Sequence, residues 1–178
     1  MIYIALLRGI NVGGHKKIKM EARRNSLETL HFKNLKTYIQ SGNIIFQFKE
    51  TSTSKIASLI SLKIHEDFSY DVPVIVKTFE EFEFAFLNNP FVEENGIEKL
   101  YVSFLSTKPS NELKKNMGDF ENDHYNIVND IFYINYEESV SNSKLTNNII
   151  EKKLRLQATT RNWKTISNLY TLAKNYSN

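Results

Sequence analysis

Residues 2–7 (Ile-Tyr-Ile-Ala-Leu-Leu) form an unbroken apolar run that stops at Arg8, the pattern of a strand buried on both faces. Met20, Leu27 and Leu30 then give residues 20–31 a weak helical stripe. Residues 35–40 and 44–49 alternate apolar with polar, and Ser41-Gly42-Asn43 supplies turn chemistry between them. Ile56, Leu59, Ile60, Ile64 and Phe68 line one side of a helix predicted over 54–69, with Ser54 as its N-cap. Residues 72–77 read as a strand with Pro73 at its start, where a missing donor is tolerated. Thr78-Phe79-Glu80-Glu81 has the form of a capping box ahead of Phe82 and Phe86. The first half therefore reads βαββαβ, the ferredoxin-like plan, followed by a short helix.

Pro90 and Gly96 mark a boundary, so the pattern predicts a ferredoxin-like subdomain over 1–88, a linker over 89–98 and a second subdomain over 99–178. The second half opens on an apolar strand at 100–105 and a helix at 110–117 with Gly118 just beyond its end. Residues 124–128 and 131–136 pair across Asn129-Asp130. Helices follow at 143–154 and 161–174, with Thr159 or Thr160 as the cap of the last. This half reads βαββαα, an incomplete repeat of the first in which a helix replaces the final strand. The predicted class is α+β.

Length and composition narrow the chemistry. A chain of 178 residues buries about 70% of the surface its unfolded form exposes and needs no covalent staples. It has no cysteine, which removes disulfides, thiolate metal sites and cysteine nucleophiles. His15, His31, His65 and His124 are scattered without metal-ligand spacing, so no metal or cofactor is predicted. No apolar stretch reaches a membrane-spanning length and the start reads as a strand, so no membrane partner is expected and the reading is soluble and cytoplasmic.

The net charge is only +3, but it is unevenly spread. Basic residues concentrate in 8–24 and 144–164, with an acidic stretch between them. Such polarity can steer an anionic partner, or it can be a set of ordinary solvated faces.

The strongest local signal is Arg8-Gly9-Ile10-Asn11-Val12-Gly13-Gly14. Three of the chain's six glycines fall within these few positions, between a strand and a helix, where phosphate-binding connections occur. The glycine spacing G-x-x-x-G-G is not the dinucleotide fingerprint, and the Walker-like spacing of Gly9 to Gly14 fails because His15-Lys16 stands where Lys-Ser/Thr is required. In a βαββαβ plan the first two strands are parallel, so this connection and the Ser41-Gly42-Asn43 turn share one sheet edge. Arg8, Asn11, Gly13, Gly14, Ser41 and Asn43 converge there as donors and acceptors, with no nucleophile–base pair. Lys144, Arg161 and Asn162 are further candidates, since an arginine in a helix's first turn opposes the helix dipole. These residue types suit a small anionic or phosphate-bearing ligand. The alternatives are a nucleic-acid module using the two basic stretches and an interaction protein without a ligand. An aromatic RNA-recognition mode fits poorly, because Asn43 and Ile45 stand where stacking rings are expected.

The stretches 3–14, 37–46, 143–145 and 158–165 resemble the bacterial domain-of-unknown-function family 1697. The resemblance implies an α+β protein with a ferredoxin-like N-terminal part. That family has no assigned activity, so no catalytic residues carry over. Arg23 departs from it, standing where an apolar residue is usual.

Overall fold

The computed structural model describes residues 1–11, 16–40, 42–93 and 96–176. Two compact units divide them: residues 1–84 with 169–178, and residues 85–168. The division falls inside helix α3 (Phe79–Leu87) and inside helix α6 (Trp163–Lys174).

The first unit carries β1 (Ile2–Leu7), α1 (Met20–Glu28), β2 (Lys33–Tyr38), β3 (Asn43–Gln47), α2 (Thr53–Phe68) and β4 (Val74–Thr78). Its sheet has the order β2-β3-β1-β4, with every neighbouring pair antiparallel. β1 pairs on both sides, which is why its sequence is apolar throughout. Tyr3, Ala5 and Leu7 pack with Leu27 of α1 and Ile56, Ile60 and Ile64 of α2, while Ile4 and Leu6 are buried from the other face. The N-cap of α2 is Ser52, which accepts from Lys55 N at 3.4 Å, two residues before the expected Ser54. The Thr78–Glu81 capping box forms as expected: Thr78 N donates to Glu81 Oε2 at 2.9 Å and Glu81 N to Thr78 Oγ1 at 3.2 Å.

The second unit carries β5 (Leu100–Leu105), α4 (Asn111–Lys115), β6 (His124–Val128), β7 (Ile131–Asn135), α5 (Asn147–Leu154) and β8 (Ala158–Asn162). Its sheet order, β6-β7-β5-β8, is that of the first with each strand replaced by its counterpart, again antiparallel throughout. Phe132, Ile134 and Leu105 pack on Ile150 and Leu154 of α5.

The second half is therefore a complete βαββαβ and not the shortened repeat expected from its pattern. Residues 158–162 form a strand in register with β5, from Tyr101 opposite Asn162 to Leu105 opposite Ala158. The two threonines sit in the ladder, where β-branched side chains fit well. Helix α6 begins only at Trp163, and Asn162 caps it by accepting from Thr165 N at 2.9 Å. Arg161 accordingly lies in a strand and not in a helical first turn. Helix α5 likewise starts later than expected, behind Thr146, whose Oγ1 accepts from Ile149 N at 3.3 Å.

Candidate functional site

β1 and β2 each run antiparallel to β3, so both deliver their C-terminal ends to one edge of the first sheet. The chain leaving β1 stays hydrogen-bonded on both sides there. Leu7 N donates to Gly42 O at 2.8 Å and Arg8 N to Pro73 O at 2.9 Å. Gly42 has φ +83°, and a Cβ on it would stand 2.7 Å from Leu7 Cβ and 3.3 Å from Leu7 O. A side chain at 42 would push β1 away from the turn. The predicted meeting of the two connections is thus present.

Asn11 fastens the connection. It takes the left-handed conformation (φ +55°), which asparagine tolerates better than most residues. Its Oδ1 accepts from Ile18 N at 2.9 Å, and its Nδ2 donates at 3.0 Å both to Ile18 O and to Gln40 O. One amide thereby imitates a strand partner for buried Ile18 and ties the connection to the end of the second strand's exit. Lys16 Nζ donates to Asp71 O, a second clasp on the side of β4. Asn11 and Lys16 are committed to holding the chain, a task that sequence spacing does not distinguish from ligand binding.

The same Gln40 carbonyl also meets Arg23 of α1. Met20, Arg23, Leu27 and Leu30 fall at helical spacing, so Arg23 occupies the inward stripe of α1. It is 0% exposed. Its Nη1 donates to Gln40 O at 3.4 Å, the same carbonyl that receives Asn11 Nδ2, whereas its Nε and Nη2 are buried without a partner among the described residues. Burial pushes the pKa of this guanidinium below its ordinary value. Arginine nevertheless keeps its proton at neutral pH, so a positive charge is enclosed here. A lone enclosed charge costs several kcal/mol unless something compensates it. The sequence signal was available: a charged residue on the apolar stripe of a short amphipathic helix.

The remaining candidates divide. Arg8 is half-buried where the connection begins. Asn43 is wholly buried and donates to Tyr38 O at 3.2 Å, closing the turn between β2 and β3. Gly13, Gly14 and Ser41 lie outside the described residues. The other three belong to the second unit and have local partners. Lys144 Nζ meets Glu121 Oε1 at 2.6 Å in an exposed pair, and that hydrogen bond holds the ammonium pKa above its ordinary value. Arg161 Nη1 donates to Thr159 Oγ1 at 2.8 Å and Thr160 O at 2.9 Å. Asn162 caps α6, as above.

Among the described residues, no cluster of three or more histidine, aspartate or glutamate side chains is arranged to hold a metal ion. No helix among them is long and apolar enough to cross a membrane. A cavity of about 630 Å³ opens beside Leu30, Phe48 and Lys49 at the opposite end of the first sheet. The surroundings of Arg23 are by contrast enclosed. Among the described residues the arrangement provides an enclosed positive charge and hydrogen-bond donors.

The chain belongs to the family described as a protein of unknown function (DUF1697), which matches residues 1–133. No curated protein matches it. A solved structure, that of a conserved bacterial protein from Streptococcus pneumoniae, is similar with a TM-score of 0.75 and 22% identity, covering 97% of this chain and 98% of that one. At that identity the likeness carries the fold alone.

Proposed function

We propose that the first unit binds a small oxyanion against Arg23, beside the Gln40 carbonyl. The observation that carries this reading is the pair of unpartnered, fully buried donors, Nε and Nη2. These two groups form one edge of the planar guanidinium, and parallel N–H groups on such an edge match the two oxygens of a carboxylate or phosphate. An anion there satisfies both donors and neutralises the enclosed charge in one step.

The nucleic-acid alternative draws less support. Tracking a phosphate backbone needs exposed cations free to release counterions. Within the two basic stretches, Lys16 is fastened to Asp71 O, Arg23 is buried, and Arg24 pairs with Glu28 at 3.5 Å. Lys144 pairs with Glu121, and Lys153 Nζ donates at 2.9 Å to both Asn116 O and Met117 O.

Thermal melts of the full chain in the presence of small oxyanions and of short oligonucleotides test this function. Saturation at about 100 times Kd adds roughly 2.7 kcal/mol, a shift of several degrees for a chain of this size. The expected result is a shift with one or more small oxyanions that vanishes in Arg23→Met. A shift with oligonucleotides alone, fading as salt rises, transfers the function to the nucleic-acid reading.

A further inference from the structure

We infer that the oxyanion held at Arg23 carries a single negative charge and is a carboxylate, an inference that rests on the function proposed above. Charge balance leads there first. Arg23 brings one positive charge into a place without solvent exposure. One negative charge cancels it, whereas a phosphate or sulfate dianion leaves an excess charge enclosed and unsolvated.

The supply of donors leads the same way. A carboxylate presents two oxygens in one plane, and the unpartnered Nε and Nη2 are two coplanar donors. A tetrahedral dianion brings additional oxygens that need donors of their own. Among the described residues, the neighbouring polar groups of the connection and of α1 have theirs committed. Both Asn11 amide hydrogens go to carbonyls, of Ile18 and Gln40, and Lys16 Nζ goes to Asp71 O. Ser26, one turn along the same helix, gives its hydroxyl proton to Asp67 Oδ2 at 2.6 Å. The remaining guanidinium nitrogen, Nη1, faces the Gln40 carbonyl oxygen, whose partial negative charge disfavours a second anionic charge close by.

The test uses the full chain at pH 7.5 and constant ionic strength, with formate, acetate, phosphate and sulfate as probes against a chloride background. Two readouts are followed: the melting temperature, and the Nε–Hε resonance of Arg23 in 15N-labelled protein. Formate and acetate are expected to raise the melting temperature by several degrees and to move the Arg23 resonance. Phosphate and sulfate are expected to do neither, and Arg23→Met to abolish the melting shift. Phosphate or sulfate acting as strongly as acetate, with the effect lost in Arg23→Met, overturns the carboxylate inference while the small-oxyanion function stands. No response of wild type to any of the four anions overturns both. A melting shift that survives undiminished in Arg23→Met also overturns both, because the anion then binds elsewhere.

Discussion

The two units are built to one plan and finished differently at one edge. Each has a first strand paired on both sides, and the chain leaves that strand through the same pair of backbone hydrogen bonds. In the first unit these are Leu7 N to Gly42 O and Arg8 N to Pro73 O; in the second they are Leu105 N to Asp130 O and Ser106 N to Gln157 O, all between 2.8 and 2.9 Å. The second unit then needs only residues 106–110 to reach a five-residue helix that buries none of its side chains. The first spends residues 8–19, a glycine at φ +83°, an asparagine at φ +55° and a buried arginine on the same step. The turn is shared, since Asn129 of the second unit also takes the left-handed conformation (φ +53°), but the long connection and the buried arginine are not required by topology, because the second unit closes without them. What the first unit adds is the part of the molecule on which the proposed oxyanion site rests.

The sharpest way to break the comparison is at Gly42. Gly42→Val meets Leu7 Cβ at 2.7 Å and forces a β-branched residue into the left-handed region. Overpacking and backbone strain together cost about 3–4 kcal/mol. Gly118 of the second unit has φ +64° but open space where a Cβ would stand, so Gly118→Ala costs only about 1 kcal/mol. Chemical denaturation of both variants checks this. Equal losses would mean that the close approach of turn and strand in the first unit contributes nothing.

Asn11 comes next. Removing its amide strands the N–H and C=O of buried Ile18 and one bond to Gln40 O, at a cost of about 2 kcal/mol. Asn11→Gly retains the positive φ and loses only the clasp, whereas Asn11→Ala loses both. The alanine variant is therefore expected to be less stable than the glycine variant by roughly 0.5–1 kcal/mol in the same measurement. If the two are equal, conformation at residue 11 is not under strain.

These residues also show what was legible in the chain. The apolar run 2–7 announced a central strand, and a central strand demands partners on both sides, so the first sheet and its edge followed. The run 100–105 made the same demand. It went unanswered because the partner, Ala158–Asn162, is short, polar and flanked by a helix, and its threonines look as much like caps as like strand residues. Asn11 was legible as important but not in its role, because the groups it binds include a carbonyl at residue 40, which only the closed fold brings near. Arg23 was hidden by its type. A charge is read as surface until its position on the stripe with Met20, Leu27 and Leu30 is weighed, and that stripe is half-polar in a helix of nine residues.

Arg23→Met carries the opposite sign to the substitutions above. In buffers free of small oxyanions the variant removes an uncompensated buried charge and fills the space with an apolar chain of similar length. Stability is expected to rise by roughly 1 kcal/mol, since apolar replacements of buried charges are commonly neutral or favourable. Denaturation in chloride alone measures it. A clear loss instead would identify Arg23 as a structural brace for the Gln40 carbonyl and would weaken the assignment of a ligand to it.

The smallest effect concerns how each unit ties its helices together. In the first unit, Asp67 of α2 accepts from Ser26 Oγ of α1 at 2.6 Å and from Lys63 Nζ at 3.0 Å. The Ser26 hydroxyl foremost, with Lys63 behind it, holds the Asp67 carboxyl below its ordinary pKa. A depressed carboxylate stabilises the fold above its unfolded pKa, and that contribution is lost as pH falls through the folded value. In the second unit the corresponding tie is Lys153 Nζ on the Asn116 and Met117 carbonyls, where acid removes no charge. Acid is thus expected to loosen the helix tie of the first unit and to spare that of the second. Ser26→Ala should move the Asp67 carboxyl titration, followed by its 13C resonance, upward toward the ordinary carboxylate range, and Lys63→Met should move it in the same direction. The stability difference between Ser26→Ala and wild type should be largest near neutrality and vanish below the folded pKa of Asp67. An Asp67 titration unchanged in Ser26→Ala would show that the hydroxyl bond does not favour the ionised form, and the contrast in acid between the two units would then have to arise elsewhere.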